Sequence, residues 1–250
     1  MTDMPVPPHL LERARSLAAP GSRRILGIAG APGAGKSTLA ARLVDALDGL
    51  AVLVPMDGYH LAQQELLRLG RAHRKGAPDT FDAAGYAALL ARLRDHDTRA
   101  ATVYAPAFDR AIEEPVAGSI PVDPGVPLVV TEGNYLLHDE GPWAHIRPLL
   151  DEVWFLELDP EVRAARLVDR HMRFGKERPH AESWVRDCDE PNARLIGRGR
   201  DRADLVVPMG EVGPLTRGGA GLLDRDDAEP PTWGGAGLLS RDDAGDTPFI

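Results

Sequence analysis

The sequence predicts an α/β domain built on a mainly parallel five-stranded sheet with helices on both faces. Three observations predict it. Apolar, strand-like runs alternate with helical runs along most of the 250 residues, and that alternation argues for a parallel sheet covered on both sides. A glycine-rich loop stands between the first of these strands and a helix. Hydrophobic residues make up 43% of the chain but aromatics only 5%, which suffices for one core filled mainly by Leu, Val and Ala.

The elements follow in order. Leu10, Leu11, Ala14, Leu17 and Ala18 recur at amphipathic spacing and predict a short helix over 9–19, ending before Pro20-Gly21. Residues 1–22 read as an extension to a domain spanning 23–210. Residues 24–29 are a strand, and residues 39–47 have the spacing of a helix. Between them lies Gly30-Ala31-Pro32-Gly33-Ala34-Gly35-Lys36-Ser37-Thr38, a complete match to the phosphate-binding pattern G-x-x-x-x-G-K-[ST] in the required strand-loop-helix order. Residues 50–56 are a second buried strand, and residues 61–70 and 83–95 are helices. Residues 102–105 and 114–122 are short strands separated by Pro106-Ala-Phe-Asp-Arg110, forming a small hairpin outside the main sheet. Residues 126–132, 152–158 and 203–208 complete the core strands. Pro160 opens a helix over 160–173, and residues 180–197 form a helix broken near Pro191.

Residues 211–250 differ in kind. They are rich in Gly, Pro and Asp and repeat an eleven-residue unit, at 218–228 and again at 234–244. Two copies are too few for a solenoid, and the composition predicts disorder. This tail carries eight acids against three bases, so more than half of the net charge of −9 resides there. The remainder has no basic field of the kind nucleic acid requires. No apolar stretch is long enough for a membrane span. The start lacks a cationic segment followed by an apolar one, so no secretory signal is expected. The single cysteine, Cys188, excludes an internal disulfide and a multi-cysteine zinc site. A cytoplasmic location is the default expectation.

The motifs specify chemistry. Glycines in the 30–38 loop let backbone N–H groups curl around phosphate oxygens, and the following helix adds the positive end of its dipole. Lys36 is expected to reach the β- and γ-phosphates and the Ser37 hydroxyl to ligate Mg²⁺, so ATP and Mg²⁺ are the expected cofactors. Asp57, at the carboxyl end of the neighbouring strand, is the expected general base for an attacking hydroxyl, against the plainer role of a helix cap. Glu132 ends the third core strand and is the expected Mg²⁺ partner, directly or through water. Arg163, Arg166, Arg170 and Arg173 share one helix face. A basic face followed by Gly175-Lys176 suggests a lid over about 163–180, with Arg166 and Arg170 closing on the transferring phosphoryl group; His171 and Lys176 have no assigned part. Only three lysines occur, Lys36, Lys75 and Lys176, which marks Lys75 and Lys176 as positions where arginine's fork will not serve. The aromatic and polar residues of 74–82 and of the hairpin suit a pocket for a small polar acceptor. His60, Lys75, Tyr104, Phe108, Arg110 and Asn134 are its candidate lining.

Taken together the motifs resemble the phosphoribulokinase/uridine kinase family of P-loop kinases, which includes bacterial-type pantothenate kinase. The resemblance runs from about Arg23 to Gly210. It rests on G-x-x-x-x-G-K-S at 30–37, D-G-Y-H at 57–60, R-K-G-x-P-x-x-F-D at 74–82, P-x-F-D-R at 106–110, E-G-N-Y-L-L at 132–137, R-x-x-R-L-x-x-R-H at 163–171 and A-D-L-V-V-P at 203–208. It implies the three-layer α/β/α P-loop NTPase fold with a hairpin insertion and a helical lid. It also implies Asp57 as base, Glu132 near Mg²⁺, and Arg166 and Arg170 in the lid. Dimers are common in the family. The R-K-G-x-P segment looks like pantothenate kinase, but the P-x-Y-S-H stretch expected there is Pro106-Ala-Phe-Asp-Arg110. Uridine kinases carry a ribose-binding Asp two residues before the Pro of the 74–82 loop; Gly76 stands here. The expected activity is ATP-dependent phosphorylation of a small-molecule hydroxyl on a nucleoside, pantothenate-like or sugar acceptor. The alternatives are a regulatory ATP-binding protein without an acceptor, and a nucleoside monophosphate kinase using Arg74, Lys75 and Arg110 for the acceptor phosphate. No N-K-x-D guanine-reading motif is present.

Overall fold

The computed structural model of the protein describes residues 6–95 and 101–210. The expectations for the repeated tail lie outside the described residues. Five parallel strands form the main sheet in the order β2-β5-β1-β6-β7. They are β1 (Arg24–Gly30), β2 (Ala51–Leu53), β5 (Leu128–Gly133), β6 (Glu152–Glu157) and β7 (Leu205–Pro208).

Alternation along each strand builds the three layers. Ile25 and Ala29 of β1, Val129 of β5 and Val153 and Phe155 of β6 enter one core, with α4 (Ala83–Arg94), the 141–149 segment and α7 (Glu190–Gly197). Leu26, Ile28, Leu128, Val130, Trp154 and Leu156 enter the other, with α1 (Pro8–Leu17) and α2 (Lys36–Ala46). Because both faces are buried, the strands read as continuous apolar runs. Leu10, Ala14 and Ala18 of the N-terminal helix are part of that second core. No described helix is long and apolar enough to cross a membrane.

Four elements differ from the sequence reading. The second strand is shorter than 50–56: after Leu53 a final backbone bond from Val54 N–H to the Val130 carbonyl ends the pairing, and residues Met56–Tyr59 turn as a single 3₁₀ coil. The predicted 61–70 helix shortens to α3 (Gln63–Arg68). In the hairpin, the 106–110 stretch does not separate the strands. β3 (Val103–Asp109) runs through Pro106 with a register shift between Ala105 and Ala107, and pairs antiparallel with β4 (Glu114–Val122). A proline cannot donate to the ladder but is accommodated at such an irregularity. The 180–197 region is α6 (Arg178–Trp184), a wider π-turn over Val185–Asp189, then α7, in which Pro191 lies in the first turn. Proline is tolerated there because the first-turn N–H groups have no helical partner. Between β6 and this region runs α5 (Pro160–Arg173).

Candidate active site

The carboxyl ends of β1, β2 and β5 converge, and the sequence motifs sit on those ends. Gly30 leaves β1 with φ near +149°, and Gly33 and Gly35 follow at +82° and +96°. At Gly33 a side chain is excluded twice over: its φ disfavours one, and a Cβ there meets the Leu167 Cγ at 2.9 Å.

Lys36 begins α2 and folds back across the loop. Its Nζ donates to the Ala31 carbonyl at 3.1 Å and to Asn134 Oδ1 at 2.7 Å. The side chain is 8% exposed, and burial draws its pKa down to about 8, against the attraction of Glu132 and Asp57. Arg170 and Arg163 add to the depression, so the charge of Arg170 is felt at Lys36. Ser37 Oγ donates to Glu132 Oε1 at 2.9 Å. Burial, then the neighbouring Asp57 charge, pushes the Glu132 carboxyl up to about 7, opposed by Lys36 and the Ser37 bond. A desolvated carboxylate beside a hydroxyl is a hard oxygen pair suited to a dication.

Asp57 occupies the 3₁₀ turn after β2. Two close approaches fix that turn. A Cβ at Gly133 would lie 2.6 Å from the Met56 Cβ, and one at Gly58 would lie 2.4 Å from the Pro106 carbonyl. The D-G pair therefore presses the turn between the end of β5 and the hairpin. Thr131 holds the strands beneath it: its Oγ1 donates to the Val54 carbonyl at 2.6 Å and meets the Tyr86 hydroxyl at 2.5 Å. Sequence reasoning missed Thr131 and Tyr86; the only signal was a polar residue inside an apolar run.

Of the acceptor candidates, Arg110 and His60 touch Asp57, Phe108 and Lys75 pack beyond His60, and Asn134 meets Lys36 instead. Arg110 approaches Asp57 at 3.8 Å. His60 Nδ1 lies 2.9 Å from the Asp57 carbonyl, and its ring packs on Phe81 and Phe108 at centroid distances of 4.0 and 4.8 Å. Lys75 Nζ lies 5.2 Å above the Phe108 ring and donates to the Glu113 carbonyl at 2.7 Å. Tyr104 is 60% exposed, alternating with the buried Val103 and Ala105.

The lid candidates divide. Arg163 is buried; one guanidinium nitrogen reaches the Pro32 carbonyl at 3.4 Å and another pairs with Glu190 of α7. It braces the phosphate loop, a role its sequence pattern did not separate from those of Arg166 and Arg170. Arg166 is half-buried and Arg170 exposed. His171 bonds Asp189 at 2.8 Å and ties α5 to the π-turn, while Lys176, in the loop after α5, stacks on Trp184 of α6 at 4.6 Å.

The family model for the phosphoribulokinase/uridine kinase family matches residues 25–213, from β1 through β7. The chain belongs to that family. It is 38% identical to "ATP-dependent kinase-like protein notR'" of Aspergillus versicolor over 160 residues, 61% of this chain and 93% of that protein. It is 36% identical to "Putative uridine kinase C227.14" of Schizosaccharomyces pombe, over 67% of this chain and 74% of that one. Among solved structures, a "putative fructose transport system kinase" from Silicibacter sp. TM1040 superposes with a TM-score of 0.73 at 36% identity, covering 83% of this chain and all of that one. The protein is thus a P-loop kinase of this family, and the family implies use of ATP.

Proposed function

We propose that this kinase transfers the γ-phosphoryl group of Mg·ATP to a hydroxyl of a small metabolite. The convergence of Asp57, Arg110, Lys36 and the Ser37–Glu132 pair on one sheet edge carries the reading. Asp57 accepts the proton of the attacking hydroxyl, with the Arg110 guanidinium 3.8 Å from its carboxylate. Lys36, held by Ala31 and Asn134, meets the charge that accumulates on the phosphoryl oxygens. Arg166 and Arg170 close from α5 and exclude water. Ser37 and Glu132 are the residues that would hold Mg²⁺. When bound, the ion neutralises phosphate charge and orients the triphosphate. Mg²⁺ is normally held by one or two protein groups together with substrate phosphates, and the pair here fits that use.

An acceptor without a phosphate is favoured. A monophosphate acceptor would need open cations, yet Arg74 pairs with Asp79 at 2.5 Å, Arg110 faces Asp57, and Lys75 bonds the Glu113 carbonyl. The likeness to a putative uridine kinase and to a putative fructose transport system kinase makes nucleosides and sugars the first trials. The test is ADP release with Mg·ATP against pantothenate, nucleosides, nucleoside monophosphates, pentoses and hexoses. One acceptor raising turnover well above the no-acceptor rate is the expected outcome. A flat response with tight ATP binding would replace this reading with the regulatory one.

A further inference from the structure

His60 sits three residues from the proposed base, and the backbone fixes its tautomer. Its Nδ1 lies 2.9 Å from the Asp57 carbonyl oxygen. A carbonyl oxygen only accepts, so Nδ1 carries the proton. The reversed ring would set a C–H against that oxygen and forfeit the bond. In the neutral ring Nε2 is then a bare acceptor. The ring is half-buried between Phe81 and Phe108. Burial, with lesser contributions from Lys75 and Arg110, holds His60 below its ordinary pKa despite the Asp57 charge, so the neutral form prevails at neutral pH. Among the described residues no donor is placed on Nε2.

From this we propose that His60 is a specificity residue that reads a second hydroxyl on the acceptor. The acceptor is a polyol, a free sugar or the ribose of a nucleoside, and not a lone alcohol. One hydroxyl gives its proton to Asp57 as it attacks the phosphoryl group; a neighbouring hydroxyl donates to Nε2 and stays intact. Asp57 and His60 stand three residues apart on one turn of chain, close enough for the Asp57 charge to act on the ring, and the proposal takes both donors from one small molecule. Lys75 does not compete for Nε2, because its Nζ is bonded to the Glu113 carbonyl. This inference rests on the kinase reading above and names its substrate class.

The test uses the full chain with Mg·ATP. Free pentoses and hexoses, ribonucleosides, the deoxy counterpart of each, and simple mono-alcohols and hydroxy acids are the probes. For the accepted polyol, removal of the neighbouring hydroxyl lowers kcat/KM about tenfold or more in the wild type, the worth of a lost hydrogen bond that leaves a buried partner unmet. His60→Asn keeps a donor near the Asp57 carbonyl and removes the Nε2 end. It loses a similar factor on the parent polyol and little more on its deoxy form, with the ATP KM unchanged. His60→Gln, whose amide reaches the Nε2 end, restores part of the discrimination, which a packing defect would not permit. Equal turnover of parent and deoxy compounds by the wild type overturns the inference. So does an equal loss on both compounds in His60→Asn, or turnover of mono-alcohols and no polyol. Each of these leaves the kinase reading standing. That reading fails separately if no probe raises ADP release, an outcome that also counts against the subsite because every sugar in the series offers the second hydroxyl. The sugar and nucleoside arms tell the two sources apart.

Discussion

The phosphate side and the acceptor side of this site are built on opposite principles. On the phosphate side, Lys36 and Glu132 are almost wholly buried, and the loop, the lysine and the hydroxyl all come from nine contiguous residues. Desolvation there moves both charges toward neutrality, Lys36 down to about 8 and Glu132 up to about 7. On the acceptor side Asp57, Lys75 and Arg110 are half-exposed. They come from three separated segments, with Lys75 set over the Phe108 ring and Asp57 on a turn pressed between β5 and the hairpin. The comparison teaches that the fold buries charge around the phosphate loop and leaves solvated side chains around the proposed acceptor position.

Substitutions test that division, from the largest effect to the smallest. Asp57→Asn should cut phosphoryl transfer by roughly 10²–10⁴-fold while nucleotide binding, measured by calorimetry, stays intact. Unchanged turnover would remove Asp57 from the mechanism. Lys36→Met should cost about 10²–10³-fold in turnover and weaken ATP binding as well; an effect confined to the acceptor KM would erase the boundary between the two sides.

Glu132→Gln should raise the Mg²⁺ concentration for half-maximal rate by about 10–100-fold. It should also alter the stability of the ligand-free protein. With the folded carboxyl raised from 4.5 to about 7, the native state holds a proton that the unfolded state has released. Stability therefore falls as pH rises from about 4.5 to 7. Thermal melts across that window should lose this slope in the glutamine variant, and a slope that persists would show that another group causes it.

Smaller effects belong to the acceptor side. Phe108→Ala should raise the acceptor KM roughly threefold to tenfold, since the ring supports both His60 and Lys75, and leave the ATP KM unchanged. Tyr104→Ala should change stability by no more than about 0.5 kcal/mol and leave turnover alone, given its exposure. A marked loss of activity would instead support the place in the acceptor lining that the sequence proposes for Tyr104.

What could be read without coordinates follows from local physics. The loop at 30–38 is recognisable because phosphate binding needs glycine conformations and an adjacent helix in immediate succession, and that requirement is written in adjacent residues. The parallel sheet was legible because burial on both faces leaves continuous apolar strands. The strand order was not, since β2 pairs with β5 across about eighty residues and no local pattern encodes a crossover. Nor was the course of β3 through Pro106, where only the facing strand shows that the register shifts rather than ends.

The same boundary divides the site. Lys36, Ser37, Asp57 and Glu132 stand at strand ends and inside motifs, so position in the sequence was enough to nominate them. Arg163 and Arg170 lie on one helix face and look alike in one dimension. Packing of α5 against the phosphate loop and α7 buries Arg163 beneath Pro32 and leaves Arg170 exposed, because a helix face becomes two environments only when a neighbour covers part of it. The tautomer of His60 likewise depended on which atom the turn at 57–60 brought against its ring. Sequence determined the chemistry available, and tertiary structure decided which charges are dry, which are wet, and which nitrogen of His60 faces the Asp57 carbonyl.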